Sequence, residues 1–244
     1  GVPNDNYFTT SSIDLKGEQN GGRYGITIGQ SRLFFKLVGD TEVGRLVTYL
    51  EMEFEGHQNT PILRQAFIKF KGLTIGKTWS TFCDIAAGPA TVDEEGPSSE
   101  IALRQPQIRY TRHFTDNWEA SLALEYVEPS FTESESTHYI NQRIPDIPLN
   151  VKYSFNNGSH LQAGAVLRNM YYNDEIKDKD RIVTGWGASL SGIWQFTEET
   201  SFRFQGVYGK GISNYIQDIS GIGLDLVPST TSEGKLKAFN AWGG

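Results

Sequence analysis

Long apolar runs and cysteine are both scarce in this chain. No stretch approaches the roughly 18 to 20 consecutive apolar residues of a membrane-spanning helix, which excludes a helical membrane protein. The single cysteine, Cys83, rules out an internal disulfide framework. Only 38% of the 244 residues are hydrophobic, and the mean hydropathy is -0.41. Those values are low for a protein of this length built around an apolar core.

Positive charge is also in deficit. The 22 Lys and Arg residues face 29 Asp and Glu residues, which gives a net charge of -7 at pH 7. Nucleic acids are bound through cationic contacts to phosphate, so this balance argues against a nucleic-acid partner.

Signatures of catalysis and of bound metal are missing as well. None of the four histidines has metal-ligand spacing to another His or to the cysteine. They are His57, His113, His138 and His160. No phosphate-cradling loop of the P-loop type occurs. Residues 187–192 approximate a nucleophile elbow, but they fall in a predicted strand rather than at a strand-to-helix turn. We therefore predict no enzymatic activity, no cofactor and no metal site.

What the chain does have is strict alternation of apolar and polar residues over stretches of about ten. In the clearest stretch one parity carries the apolar set Leu46, Thr48, Leu50, Met52 and Phe54. The other parity carries Tyr49, Glu51, Glu53 and Glu55. A period of two places such sets on opposite faces of a β-strand.

About eleven such strands are predicted. They lie near 28–38, 45–55, 62–71, 73–79, 103–112, 118–127, 147–155, 160–171, 182–195, 200–210 and 235–244. Short connectors (39–44, 71–72, 113–117, 156–159, 196–199) alternate with long polar ones (80–102, 128–146, 172–181, 211–234), and only 56–61 breaks the rule. This uneven rhythm is typical of an outer-membrane barrel, with turns at one rim and loops at the other. The predicted fold is therefore all-β, a transmembrane antiparallel β-barrel.

Aromatic residues gather beside the short connectors. They are Phe114, Trp118, Tyr153, Phe155, Trp194, Phe196 and Phe202. Amphipathic rings at that level form the interfacial girdle of a barrel. The alternative is that they are ordinary strand aromatics in the core of a soluble sheet.

Three segments, taken in order, resemble the DcaP-like trimeric porins of Gram-negative outer membranes. They are residues 30–36 (QSRLFFK), 75–82 (IGKTWSTF) and 104–110 (RQPQIRY). The likeness is strongest over 28–126, and Lys77 departs from it where the family tends to have Gln. The resemblance implies a sixteen-stranded barrel, a homotrimer, and passive uptake of small, often anionic solutes such as dicarboxylates.

The resemblance also implies that residues 1–244 form a single but partial barrel domain, truncated at both ends. One strand would precede Gly1, several would follow Gly244, and residues 1–27 would belong mainly to the first extracellular loop. Lipid and lipopolysaccharide of the outer membrane would surround the barrel.

Alternation also predicts which charges line the lumen. The cations on the lumen parity are Arg32, Lys36, Lys69, Arg109, Arg168 and Arg203. The carboxylates on it are Glu51, Glu53, Glu55, Glu119 and Glu125. Opposed patches would set a field that orients solutes, and Arg suits a carboxylate because its planar fork binds two oxygens. The alternative is that these charges pair with each other and keep the lumen wet.

The long connector 82–101 is a candidate constriction loop. Its acidic side chains are Asp84, Asp93, Glu94 and Glu95. A loop of this length can fold inward and narrow a pore. It can also cap the barrel from outside or contact a neighbouring subunit.

The sequence thus predicts an outer-membrane porin for passive diffusion of small hydrophilic solutes. Two alternatives stand beside it: a non-conducting barrel with an adhesive or structural role, and a soluble β-rich carbohydrate-binding protein. They differ in where the faces that hold Leu122, Leu124 and Leu190 lie. A barrel exposes these residues to lipid, whereas a soluble protein would bury them against each other.

Overall fold

The computed structural model describes residues 28–89, 99–229 and 235–244, which form an all-β structure. The strands are β1 (Arg32–Thr41), β2 (Gly44–Glu53), β3 (Ile62–Phe70), β4 (Leu73–Trp79), β5 (Arg104–His113), β6 (Trp118–Glu125), β7 (Thr137–Tyr139), β8 (Ile147–Ser154), β9 (His160–Asp174), β10 (Lys179–Gln195), β11 (Ser201–Lys210), β12 (Leu226–Pro228), β13 (Leu236–Ala238) and β14 (Asn240–Gly243). Four single-turn 3-10 helices cover His57–Asn59, Ile85–Ala87, Ser213–Tyr215 and Gln217–Ile219. A search of the described residues for a helix suited to crossing a bilayer finds none.

Eleven of the strands form one continuous antiparallel meander. The order is β1-β2-β3-β4-β5-β6-β8-β9-β10-β11-β14, with β7 paired to β9 off this path. The predicted antiparallel all-β fold is confirmed. β1 and β14 are the two ends of this path, so the described sheet is an open part of a barrel wall. The sixteen-strand total stays a prediction, and residues 1–27 lie outside the described residues.

Several predicted boundaries were wrong. The predicted connector 39–44 is a turn of residues 42–43, and the predicted connectors 128–146 and 211–234 contain the short strands β7 and β12. The predicted long connector 172–181 is a turn of residues 175–178, because β9 and β10 continue past the apolar zone with polar partners. Asn173 lies opposite Asp180 and Asp174 opposite Lys179. Apolar periodicity cannot detect a hairpin whose two faces are both polar. The predicted last strand, 235–244, is divided: β13 pairs with β12, and β14 pairs with β11.

The two faces of the sheet differ as alternation requires. Leu122, Leu124 and Leu190 are 54%, 49% and 53% exposed on the outer face. Their inward neighbours Ser121 and Ser191 are buried. These leucines therefore face outward, away from the protein interior, which matches a lipid-facing wall and not a soluble sandwich.

Rings line the outer face near the short turns. Trp118 contacts Tyr153 with ring centroids 4.8 Å apart, and Phe155 contacts Trp194 at 5.4 Å. A second group lies farther from the short turns on the same wall, where Trp186 contacts Tyr208 at 5.7 Å. Trp186 and Trp194 are eight residues apart on β10, or about 26 Å along the strand. That separation matches the roughly 25 Å apolar band between the girdles of a membrane barrel.

Loops cover much of the inner face. The larger apolar cluster joins residues that follow β4 and β11 to inward residues of the wall: Phe82, Cys83, Ile101, Val127, Val166, Val207, Ile212, Tyr215, Ile216 and Ala241. A second cluster above it contains Phe131, Met170, Tyr172, Leu226 and Leu236. The core of this protein therefore lies inside the curve of the sheet, between wall and loops.

Candidate functional site

A water-accessible cavity of about 530 Å³ opens on the inner face, near the end of the sheet that carries the short turns. Five Lys and Arg residues line it: Arg45, Lys69, Lys71, Arg109 and Lys152. Two carboxylates line it as well, those of Asp84 and Glu119. The lining is therefore cationic, in contrast to the negative charge of the whole chain.

Lys69 and Arg109 lie close together on this inner face. Lys69 of β3 is opposite Thr74 of β4, and Thr74 is in turn opposite Arg109 of β5. The Lys69 ammonium also lies 5.2 Å from the centroid of the Phe67 ring. The Nε of Arg109 is buried without a hydrogen-bond partner among the described residues. Arg109 Nη1 donates to the Trp79 carbonyl at 3.5 Å, and both cations line the cavity.

Glu51 and Glu53 lie on the inner face, as alternation places them, but they bind a cation that alternation missed. Arg64 donates from Nε to Glu51 Oε1 at 3.0 Å, and its Nη1 also contacts Glu53. Arg64 shares the parity of the outward residue Ala66. A register shift between β2 and β3 makes Arg64 an extra residue in its strand and turns it inward. No simple sequence signal marks this bulge. On β1, Arg32 lies opposite Glu53 of β2.

Glu125 is fully buried and anchors the segment that follows β4. Its carboxylate accepts hydrogen bonds from Ser80 Oγ at 2.6 Å and from the Thr81 backbone N–H at 2.7 Å. The residue is on the inner face, but it is covered by chain and does not face open water.

Arg168 is also fully buried and anchors the segment that follows β11. Its guanidinium contacts Asp146 at 2.7 Å, Asp225 at 2.9 Å and the Gly211 carbonyl at 2.5 Å. Tyr215 packs under it, and burial raises the pKa of this phenol well above its usual value. Like Glu125, Arg168 holds a loop.

The described part of the candidate constriction loop lies against the inner face. Asp84 Oδ2 is 2.8 Å from His160 Nε2 and accepts a hydrogen bond from Ser191 Oγ at 2.8 Å. Burial alone would raise the pKa of Asp84, but the His160 and Ser191 hydrogen bonds outweigh it and lower the pKa. The loop's other predicted acids, Asp93, Glu94 and Glu95, lie outside the described residues.

Further contacts hold this segment along its length. The Asn150 side chain donates to the Thr81 carbonyl at 2.7 Å, and the Gln162 side chain donates to the Cys83 carbonyl at 3.1 Å. Arg203 of β11 donates to the carbonyls of Ala86 and Gly88 at 2.9 and 2.7 Å. Residues 80–89 therefore cross the inner face from β4 to β11.

Glu51 and Glu53 bind Arg64, and Arg32 lies opposite Glu53. The other predicted lining residues divide into two groups. Lys69 and Arg109 line open space, whereas Glu125, Arg168 and Arg203 hold loop segments. Alternation predicts which face a strand residue lies on, but it cannot tell a residue under a loop from one beside water. Within the described ranges, no group of three His, Cys, Asp or Glu residues is placed to hold a metal ion.

An amphipathic antiparallel meander with apolar residues outside and a charged, wet cavity inside defines the wall of a transmembrane β-barrel channel. The chain belongs to the porin subfamily, whose family model matches residues 14–244. The exposed apolar outer face and this family membership set aside the soluble carbohydrate-binding alternative.

The fold is also that of a solved channel. The crystal structure of the outer membrane channel DcaP of Acinetobacter baumannii matches with a TM-score of 0.70 and 17% sequence identity. The match covers 85% of this chain and 58% of the DcaP chain, so this chain spans less than two thirds of that protein. The resemblance to DcaP-like porins read from the three motifs is confirmed. The curated proteins include no match to the chain.

Proposed function

We propose that this chain forms most of the wall of an outer-membrane porin of a Gram-negative bacterium that admits small hydrophilic anions by passive diffusion. The observation that carries the proposal is the inner cavity, where five Lys and Arg residues face two carboxylates. Ion selectivity in pores of this kind follows from rings or patches of charged side chains. A cationic lining raises the local concentration of anions, including that of dicarboxylates.

The arrangement of charges supports this preference. Lys69 and Arg109 flank Thr74, so two cations from alternate strands face the same space. A dicarboxylate can engage both, with the Arg fork binding two oxygens of one carboxylate. The acids on β2 oppose this field only in part, because Glu51 and Glu53 share Arg64, which offsets one of their two negative charges.

Residues 80–89 would set the pore's width. They are held to the inner wall by Arg203, Asn150, Gln162 and the Asp84 contacts, so they occupy lumen that an empty barrel would leave open. Passage is driven by the concentration gradient alone and needs no cofactor. A homotrimer is proposed on the resemblance to the DcaP-like trimeric porins.

A non-conducting barrel is the second candidate, and one observation favours it. The segments after β4 and β11 together bury a large part of the inner face. Single-channel recording of the full-length protein in planar bilayers separates the two, because a plugged barrel gives no current steps.

The same recording tests the filter through Arg109→Glu. We expect the anion-to-cation permeability ratio to fall roughly fivefold, since two charges 4 Å apart interact by about 1 kcal/mol even in water. The readout is the reversal potential in a salt gradient. Arg112→Glu is the matched control, because Arg112 is on the same strand but on the outward parity, opposite Ala120. An unchanged reversal potential for Arg109→Glu would show that this side chain does not shape the filter.

A further inference from the structure

A second polar pocket lies on the outer wall, among residues that should face lipid. It has a volume of about 430 Å³ and is lined by Lys77, Arg104, Gln105, Pro106, Tyr126 and Glu128. Lys77 lies opposite Pro106 and shares the parity of the outward residues Leu73 and Ile75. Cations on the lipid face of a barrel are unfavourable at the bilayer centre and become tolerable only towards the interface.

Lys77 reaches towards the interface. It is five residues beyond the turn glycine Gly72, yet its ammonium donates to the Leu63 carbonyl at 2.9 Å. Leu63 is near the end of β3 that lies away from this turn, eight residues from Lys71. The aliphatic stem therefore runs along the wall and carries the charge to the upper rim, as lysine does at membrane surfaces.

Arg104 is fixed at the same rim. It is the first residue of β5, at the end away from the short turn, and its guanidinium carbon lies 3.7 Å from the centroid of the Trp79 ring. Its Nε is buried and has no hydrogen-bond partner in the part of the chain that the structure describes. Arg104 also lines the pocket, and a guanidinium stacked on a ring keeps a planar fork that can bind an anion.

The surroundings of the pocket indicate which anion. The only carboxylate among its lining residues is Glu128, which accepts a hydrogen bond from the Tyr126 hydroxyl at 2.9 Å. Below the pocket, Ile75, Ile108 and Leu124 are each about half exposed on the outer face. Two cations next to exposed apolar side chains suit a lipid that has a phosphate in its headgroup.

We propose that this pocket binds a phosphate group of lipopolysaccharide in the outer leaflet. The inference rests on the outer-membrane location given under Proposed function. Lys77 supplies a point charge and Arg104 a planar fork, a combination suited to a phosphate monoester.

The first test measures retained lipid. The full-length protein and its Lys77→Gln/Arg104→Gln double variant are purified from outer membranes in mild detergent, and lipid A is quantified per protein by mass spectrometry. We expect roughly tenfold less lipid A on the double variant, because hydrogen bonds between charged groups are among the stronger ones. Arg112→Gln is the control, since Arg112 is an outward cation at the opposite rim. Equal retention by all three proteins would overturn the proposal.

The second test needs no variant. Delipidated wild-type protein is mixed with lipid A, with lipid A dephosphorylated by a phosphatase, or with inorganic phosphate, and its thermal unfolding is followed. Only phosphorylated lipid A should raise the unfolding temperature. Equal stabilisation by dephosphorylated lipid A would refute phosphate recognition, and equal stabilisation by inorganic phosphate would refute a lipid site.

Three further outcomes separate this inference from others. Dissociation of the double variant into monomers with unchanged lipid content would make the pocket a subunit contact, which overturns the lipid site. Wild-type protein that binds lipid A but conducts no ions would refute the proposed pore while leaving this site intact. A conducting protein without phosphate-dependent binding would refute this lipid site while leaving the proposed pore intact.

Discussion

Arg168 of β9 contacts two other segments of the chain. One is Asp146, just before β8, and the other is the loop after β11, at Gly211 and Asp225. Asp225 also accepts hydrogen bonds from Ser213 and from the backbone of Ser130. A buried cation with two carboxylate partners is costly to desolvate, and its partners become costlier still if it is removed. At the residue scale, the buried charges of this protein thus position loops inside the barrel.

Arg168→Met tests that role. We expect the variant to lose about 3–5 kcal/mol of unfolding free energy, since Asp146 and Asp225 would keep their burial and lose their counter-ion. Urea unfolding of the detergent-solubilised barrel gives the measurement. The control is Arg143→Met, which removes an exposed ion pair with Asp180 and should change stability little. Equal, small losses in both variants would mean that the buried network contributes little.

At the element scale, the segment 80–89 is the clearest unit. It has only one short 3-10 turn, Ile85–Ala87, and is held by wall residues from β5 to β11. Glu125 holds the beginning of the segment at Thr81, and His160 and Ser191 hold its middle at Asp84. Arg203 holds its end at Ala86 and Gly88. An element without regular structure is ordered here by side chains of the strands beneath it.

The Asp84 contact predicts a dependence on pH. The pKa of Asp84 is lowered in the folded protein, so its carboxylate stabilises the fold fully above the ordinary Asp value of about 3.9 and loses that effect as the pH falls through the lower folded pKa. The stability difference between wild type and Asp84→Asn should therefore be constant above about pH 5 and shrink below about pH 4.

Thermal unfolding midpoints across this range provide the measurement. Asp116→Asn, in the exposed turn between β5 and β6, corrects for the general effect of removing a carboxylate. A difference between wild type and Asp84→Asn that grows as the pH falls would contradict the assigned direction.

At the scale of the whole molecule, the outer face of the wall is suited to lipid and the inner face to water. The outer face of the wall has apolar residues between two groups of rings, and the inner face holds charged side chains, loops and a cavity. Lipid and water must therefore be separated by a single layer of strands. The same substitution should have opposite consequences on the two faces.

Leu190→Arg and Val38→Arg compare these faces. Leu190 is outward and near the middle of β10, so arginine there should cost about 2–4 kcal/mol in a lipid bilayer. Val38 is exposed on the inner parity of β1, opposite Val47, where arginine should be nearly neutral. Folding titrations in phospholipid vesicles compare the two variants. Equal costs would contradict a lipid-facing outer wall.

Much of this architecture is predictable from the sequence because its cause is local. A lipid-facing wall one strand thick imposes a period of two on every strand, so Leu122 and Leu124 are recognisable from their neighbours alone. Turn residues and connector lengths mark the two rims in the same way. The motifs at 30–36, 75–82 and 104–110 are likewise continuous in the chain, which allowed the family to be recognised.

The remainder depends on contacts between residues far apart in sequence. Arg64 turns inward only because β3 gains an extra residue relative to β2, and Arg104 and Lys77 line one pocket only because β4 and β5 are paired. Glu125 and Arg168 share the inward parity of Arg109, but the loops that cover them come from other parts of the chain. Alternation determined which side of the wall the residues of a regular strand face, whereas the tertiary structure decided where a bulge reverses that side and which inward charges meet water, because pairing with or burial by a distant segment leaves no local pattern.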